Sequence, residues 1–171
     1  MKHVMIDLET LSTRPNASIL SIGACRFDEN GIDTDGFYVN IDPHSSKEYG
    51  THVSKSTLKW WSEQSKEAIA QLQVDQRPLT YALDLFLEWY GSKSMKTWSN
   101  GASFDLPILS YSLDATNRNI PWKYYHGLCV RTITDLTGQK IDRTAGTAHN
   151  ALDDAINQAK FMVEFLKQVK G

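Results

Sequence analysis

Strand-like patterns crowd into the start of this chain, and helical spacing governs most of the residues after Ser54, an order that few architectures accommodate. His3–Ile6, Ala17–Phe27 and Phe37–Ile41 are rich in β-branched and small apolar residues and read as three strands. Asn30-Gly31 and Asp35-Gly36 lie between the last two, where they favour tight turns and predict a hairpin. Leu79, Leu83, Phe86, Leu87 and Tyr90 then mark one face of a helix that Gly91 is placed to end. Met95–Ser99 is a short strand. From Phe104 to Asn117, Leu106, Leu109 and Leu113 share a helical face, and Pro107 occupies the first turn, where a missing amide proton costs little.

Trp122–Tyr125 reads as a final strand and Val130–Leu136 as a short helix. The last helix runs from about Asn150 to Lys170, with Leu152, Ile156, Ala159, Val163 and Leu166 inward. Strands first and alternating helices later predict an α/β fold: a mixed five-stranded sheet, three strands antiparallel and the rest parallel, flanked by helices. With 171 residues and no Pro/Gly-rich or polar tract long enough to be a linker, residues 1–171 are expected to form a single domain.

Asp7 and Glu9 come before any apolar run long enough for a signal peptide or a membrane span, so a cytoplasmic protein without a membrane partner is expected. Cys25 and Cys129 are far apart and form no metal or redox motif, which leaves them as buried thiols. The formal net charge of −2 argues against a broad basic surface for nucleic acid. It leaves room for a nuclease, because acids gathered around bound cations weigh down the sum while the cations attract phosphate.

Asp7 and Glu9 are two residues apart at the end of the first strand, so both project from one side of the sheet. Like charges so close repel unless they are solvated or bridged, and such oxygen ligands suit Mg²⁺ or Mn²⁺. Asp33 and Asp35 share the spacing but lie in a polar turn open to water. Asp105 follows a strand and enters a helix, the kind of junction where α/β proteins build sites; the plainer alternative is a first-turn acid favoured by the helix dipole. Among the five histidines only His149 has an acid five residues on, Asp154. A neutral imidazole there can accept a proton from water at neutral pH, or can simply be a surface residue near a helix start.

Asp7-Leu8-Glu9-Thr10, Asn100-Gly101-Ala102-Ser103-Phe104-Asp105 and His149-Asn150-Ala151-Leu152-Asp153-Asp154-Ala155 together resemble, in order, the three motifs of DEDDh 3′→5′ exonucleases, the proofreading exonuclease and RNase T-like superfamily. The resemblance implies a ribonuclease H-like fold and two-metal-ion phosphodiester hydrolysis that releases 5′-mononucleotides. It also implies two divalent cations, Mg²⁺ or Mn²⁺, with Asp7 bridging both, Glu9 and Asp154 completing one, and Asp105 holding the other. His149 is then the general base, and Thr10, Leu11 and Phe104 hold the terminal nucleotide.

The similarity is strongest to phage and bacterial members with a Trp-Trp segment, here Ser56-Thr57-Leu58-Lys59-Trp60-Trp61. Two adjacent tryptophans cannot both enter one core, so one of them, taken as Trp61, is expected to offer a stacking face to a base; packing of both against helices is the alternative. Single-stranded nucleic acid with a free 3′ end is the expected partner, DNA before RNA, and a homodimer is open because several relatives are dimers. A catalytically silent nucleic-acid binding module on the same fold is the competing reading, and an endonuclease of the ribonuclease H type a third.

Overall fold

The computed structural model of the chain describes residues 1–147 and 149–170. Its centre is β1 (His3–Thr10), which pairs antiparallel along its whole length with β2 (Ile19–Asp28). Two further strands share the other edge of β2: the two-residue β3 (Gly31–Ile32), folded back by a turn at Glu29-Asn30, one residue before the expected Asn30-Gly31, and β4 (Phe37–Asn40). On its far side β1 pairs in parallel with β5 (Lys96–Ser99), which in turn pairs in parallel with β6 (Gly127–Cys129). The sheet is mixed, as expected, but has six strands rather than five, because β2 is long enough to carry both β3 and β4.

The predicted strand at Trp122–Tyr125 is displaced. Tyr124–His126 form a 3-10 turn, and the strand begins at Gly127. Trp122 is apolar for a different reason: it fills the core against Tyr90, with ring centroids 6.1 Å apart.

Alternation along β1 sends Val4, Ile6 and Leu8 to one face and Met5 to the other, and each face is buried by its own helices. The first face packs against α3 (Leu79–Tyr90) and α4 (Asp105–Ala115). The second packs against α5 (Val130–Thr137) and α6 (Ala151–Lys170). Two short helices, α1 (Lys55–Ser62) and α2 (Lys66–Leu72), are capped by Ser54 and Ser65, whose hydroxyls accept the amides of Thr57 and Ala68. They close the carboxyl end of β1 through a small cluster of Leu11, Leu20, Trp61 and Leu72.

The inward stripe of α6 is rotated from the expected one. Ala151, Ala155, Ala159 and Met162 are fully buried, with Gln158 beside them, while Leu152, Ile156 and Leu166 are only partly buried. Small residues let this helix lie closer to the sheet than leucines would. Gly23 completes the fit: a Cβ there would lie 2.1 Å from the backbone carbon of Ala151. Gly23 is the register partner of Asp7, so the first turn of α6 comes down beside the acids of β1.

Candidate active site

β1 and β5 are paired only from His3 to Met5 on β1, so the strands part before Asp7 and leave backbone donors on that edge of β1 without a strand partner. The Asp105 carboxylate fills this role at the mouth of the gap, accepting the Leu8 amide at 3.1 Å. The acid of the second motif is thereby held against the first, although 97 residues separate Leu8 from Asp105. Such a crevice at the carboxyl ends of parallel strands is where α/β sheets place their chemistry.

From the opposite side α6 contributes Asp154 and, one turn later, Gln158, whose amide donates to Asp7 Oδ1 at 2.7 Å. Asp7, Glu9 and Asp154 each offer an oxygen within 4.8 Å of the others. Burial is the main reason the Asp7 carboxyl is held well above its usual range, and Asp105, Glu9 and Asp154 push it further. Burial, then Asp154 and Asp105, raise Glu9 to about 8. Burial raises Asp105 to about 7, opposed by the Leu8 amide and by the charge of Arg131. Asp154 is also raised by burial, with Arg143 and His149 drawing it back.

These groups fit divalent cations. The donors are all oxygens, they converge from three elements, and their mutual repulsion is relieved most directly by positive charge placed between them. Among the described residues no lysine or arginine pairs with any of the four. The buried Gln158 Oε1 also lacks a hydrogen-bond partner.

His149 stands just before α6 with a left-handed backbone (φ 62°), an uncommon conformation for a residue with a side chain. Its ring meets the edge of Trp60 at 4.9 Å and lies 6.1 Å from Trp61. The segment before it is tied to α6 twice: Asp153 accepts the Thr147 amide at 2.7 Å, and the Asn157 amide donates to the Ala145 carbonyl, also at 2.7 Å. Gly146 (φ 86°) has the Asp153 carboxyl where a Cβ would be, 2.6 Å away. Neither Asp153 nor Asn157 is among the residues to which the sequence motifs assign a role. Their only sequence signal is their place on the helix that carries Asp154.

A cleft of about 340 Å³ opens beside the acids, bounded by Leu8, Glu9, Thr13, Ser56, Trp60 and Phe104. Phe104, one of the residues expected to hold the terminal nucleotide, is part of its wall. Thr10, Leu11 and Trp61 lie beneath that surface. The Thr10 hydroxyl donates to the Ser12 carbonyl at 2.7 Å, and Leu11 belongs to the small apolar cluster. Trp61 is 7% exposed and its indole N–H donates to the Thr10 carbonyl, whereas Trp60 is 41% exposed. The open face of the pair belongs to Trp60, which corrects the choice of Trp61. Cys25 is the buried thiol expected, pushed by burial to about 12, and Cys129 is partly buried. Among the described residues no helix is long and apolar enough to cross a membrane.

Solved structures with the same architecture include the nuclease domain of 3′hExo, a DEDDh family member bound to rAMP. Its TM-score is 0.63 at 15% identity, over 97% of this chain and 92% of that one. Exonuclease X in complex with 5′ overhanging duplex DNA gives 0.64 at 14% identity, over 99% and 93%. S. pombe Pop2p in its Mg²⁺- and Mn²⁺-bound form gives 0.60 at 13%, over 96% and 82%. The fold is thus the ribonuclease H-like fold of DEDDh nuclease domains. Residues 2–166 match the profile of the 3′-5′ exoribonuclease Rv2179c-like domain, and the chain belongs to that family. A curated relative, the exodeoxyribonuclease of Enterobacteria phage T4, is 25% identical over 64% of this chain; the match spans 54% of the phage protein.

Proposed function

We propose that this chain is a metal-dependent 3′→5′ exonuclease that releases 5′-mononucleotides from single-stranded nucleic acid. The observation that carries this reading is the convergence of Asp7, Glu9 and Asp154 within 4.8 Å, with Asp105 anchored to the same strand. Asp7, Glu9, Asp154 and Asp105 would hold two divalent cations, Mg²⁺ or Mn²⁺. Such cations, when bound, supply Lewis-acid stabilisation of the charge that develops at phosphorus and on the departing oxygen. Gln158 fixes the orientation of Asp7 through its amide. His149 accepts the proton of the attacking water, a role supported by the tethering of the segment before it to the helix that carries Asp154. Trp60 and Phe104 border the cleft next to Glu9, where the terminal base stacks.

RNA is the favoured substrate, in place of the DNA expected from the resemblance to phage-type members, because the exoribonuclease profile spans residues 2–166 while the phage DNA relative aligns with a smaller part of the chain. DNA is the second reading, and the phage relative is what favours it. Matched RNA and DNA oligomers, 5′-labelled as linear strands and internally labelled as circles, test both readings with Mg²⁺, with Mn²⁺ and in EDTA. The expected result is stepwise shortening from the 3′ end, fastest on single-stranded RNA and absent in EDTA. His149→Ala should lose on the order of 10²–10⁴ in rate. Cleavage of circular strands, or hydrolysis undiminished by EDTA, would refute the proposal. A folded protein that binds oligomers without shortening them in any buffer would be the silent module instead.

A further inference from the structure

A second cleft, of about 570 Å³, shares no wall residue with the one bounded by Trp60 and Phe104 and has no role in the chemistry assigned to the acids and His149. Its walls are Asn100, at the end of β5, one face of α5 with Arg131, Thr134 and Asp135, and the segment that carries Lys140 and Arg143. The segment is pinned by Ile141, which packs against the apolar cluster under α5 and α6, so Lys140 and Arg143 are presented from an anchored stretch of chain. Three cations therefore face one space that contains a single acid, Asp135. The neighbouring Asp142 is already occupied, accepting the amide and hydroxyl of Thr144 at 2.9 and 2.7 Å.

Among the described residues Arg131, Lys140 and Arg143 form no ion pair, whereas Arg26, Arg77 and Arg118 each have an acidic partner. In a chain of net charge −2, three unpaired cations in one cleft run against the overall balance and create a local field that attracts anions. The cleft also lies near the candidate site. Asn100 belongs to the motif that ends in Asp105, and Arg131 and Arg143 are close enough to Asp105 and Asp154 for their charges to be felt there.

We propose that the Arg131–Lys140–Arg143 cleft holds the internucleotide phosphates of the substrate strand immediately upstream of its 3′-terminal nucleotide, and so sets the length of strand the protein prefers. The inference rests on the exonuclease reading and adds to it a binding path. With the terminal base against Trp60 and Phe104 and the scissile phosphate at the acids, the strand continues past Asp105 and Asp154 to the neighbouring cations, which meet its backbone. Contacts of this kind are indifferent to base sequence and are sensitive to salt.

Equilibrium binding in the Asp7→Asn background separates this inference from the reading on which it rests. Fluorescein-labelled RNA oligomers of two, four, eight and twelve nucleotides are titrated by anisotropy at several salt concentrations, with Mg²⁺ present. Affinity is expected to rise with length and then level off. Adding Lys140→Ala and Arg143→Ala should weaken the eight-nucleotide oligomer by about tenfold and the dinucleotide by about twofold at most. The slope of log affinity against log salt should also fall by about 0.7 for each charge removed. Lys140→Glu, a change at an exposed position, should act in the same direction and guards against misfolding of the double variant. Equal weakening at every length, or an unchanged salt slope, overturns the cleft assignment and leaves the exonuclease reading standing. No binding of any oligomer by the Asp7→Asn protein overturns both.

Discussion

Asp7 is where the competing demands on this protein meet. It is surrounded by three other carboxylates and receives one compensating hydrogen bond, from Gln158. Such a residue favours catalysis at the expense of the fold. Asp7→Asn should therefore fold, lower exonuclease turnover by on the order of 10³ or more, and melt at a higher temperature than the unaltered protein when both are in EDTA. Wild-type turnover in a well-folded variant would remove the metal assignment, and a lower melting temperature in EDTA would contradict the account of repulsion. The tryptophans make a paired test. Trp60→Ala should raise KM by about 5- to 100-fold, the worth of one stacked base, with little change in stability. Trp61→Ala should cost about 3–5 kcal/mol of stability in chemical denaturation, because its side chain and indole bond are buried.

Among the elements, α6 does the most to assemble the site. Its opening turns bring Asp154 toward Asp7, supply Gln158, and through Asp153 and Asn157 fasten the segment ahead of His149. The close approach depends on Gly23, since any Cβ there would occupy the space of the Ala151 backbone. Gly23→Ala should therefore push the start of α6 outward, costing about 1–3 kcal/mol and lowering activity by on the order of 10²-fold. Denaturant melts and initial rates check it: a variant with normal values for both would show that α6 has slack against β2. The neighbouring α5 makes a different use of the same support. Both helices bury one face on the same cluster, but α5 turns Arg131 and Asp135 to an open cleft, whereas α6 turns acids toward the strand ends.

At the scale of the whole molecule, the acids couple stability to pH and to cations. The folded state holds Glu9 near 8 and Asp105 near 7, against ordinary values of 4.5 and 3.8. A raised folded value means that the native state binds more protons than the unfolded chain between those limits, so the contribution of these two groups to stability is fullest below about pH 4 and is lost as pH rises through 7 to 8. In EDTA the melting temperature should fall across that window. Mg²⁺ or Mn²⁺ should restore it in a concentration-dependent way, more at pH 8 than at pH 5, as binding to the native state alone requires. A flat melting temperature over pH 5–8 in EDTA would contradict this linkage.

The repeating patterns along the chain are enough to identify the mixed sheet, the helices of residues 79–90 and 105–115, and the acids worth watching, because alternation and helical spacing are local properties that burial on one face imposes directly. Other features depend on which surfaces meet, and no local pattern reports that. Trp122 resembles a strand residue yet fills a cavity beside Tyr90, and Trp60 and Trp61 are alike until α1 packs one and leaves the other open. The stripe of α6 is set by alanines and by a glycine more than a hundred residues earlier, Gly23, which permits contact at backbone distance. The basic cleft likewise joins Asn100, Arg131 and Arg143 only after β5 and β6 lie side by side. Composition and spacing state what each segment must bury, but only packing decides which segments bury it together and which charges are left facing one another.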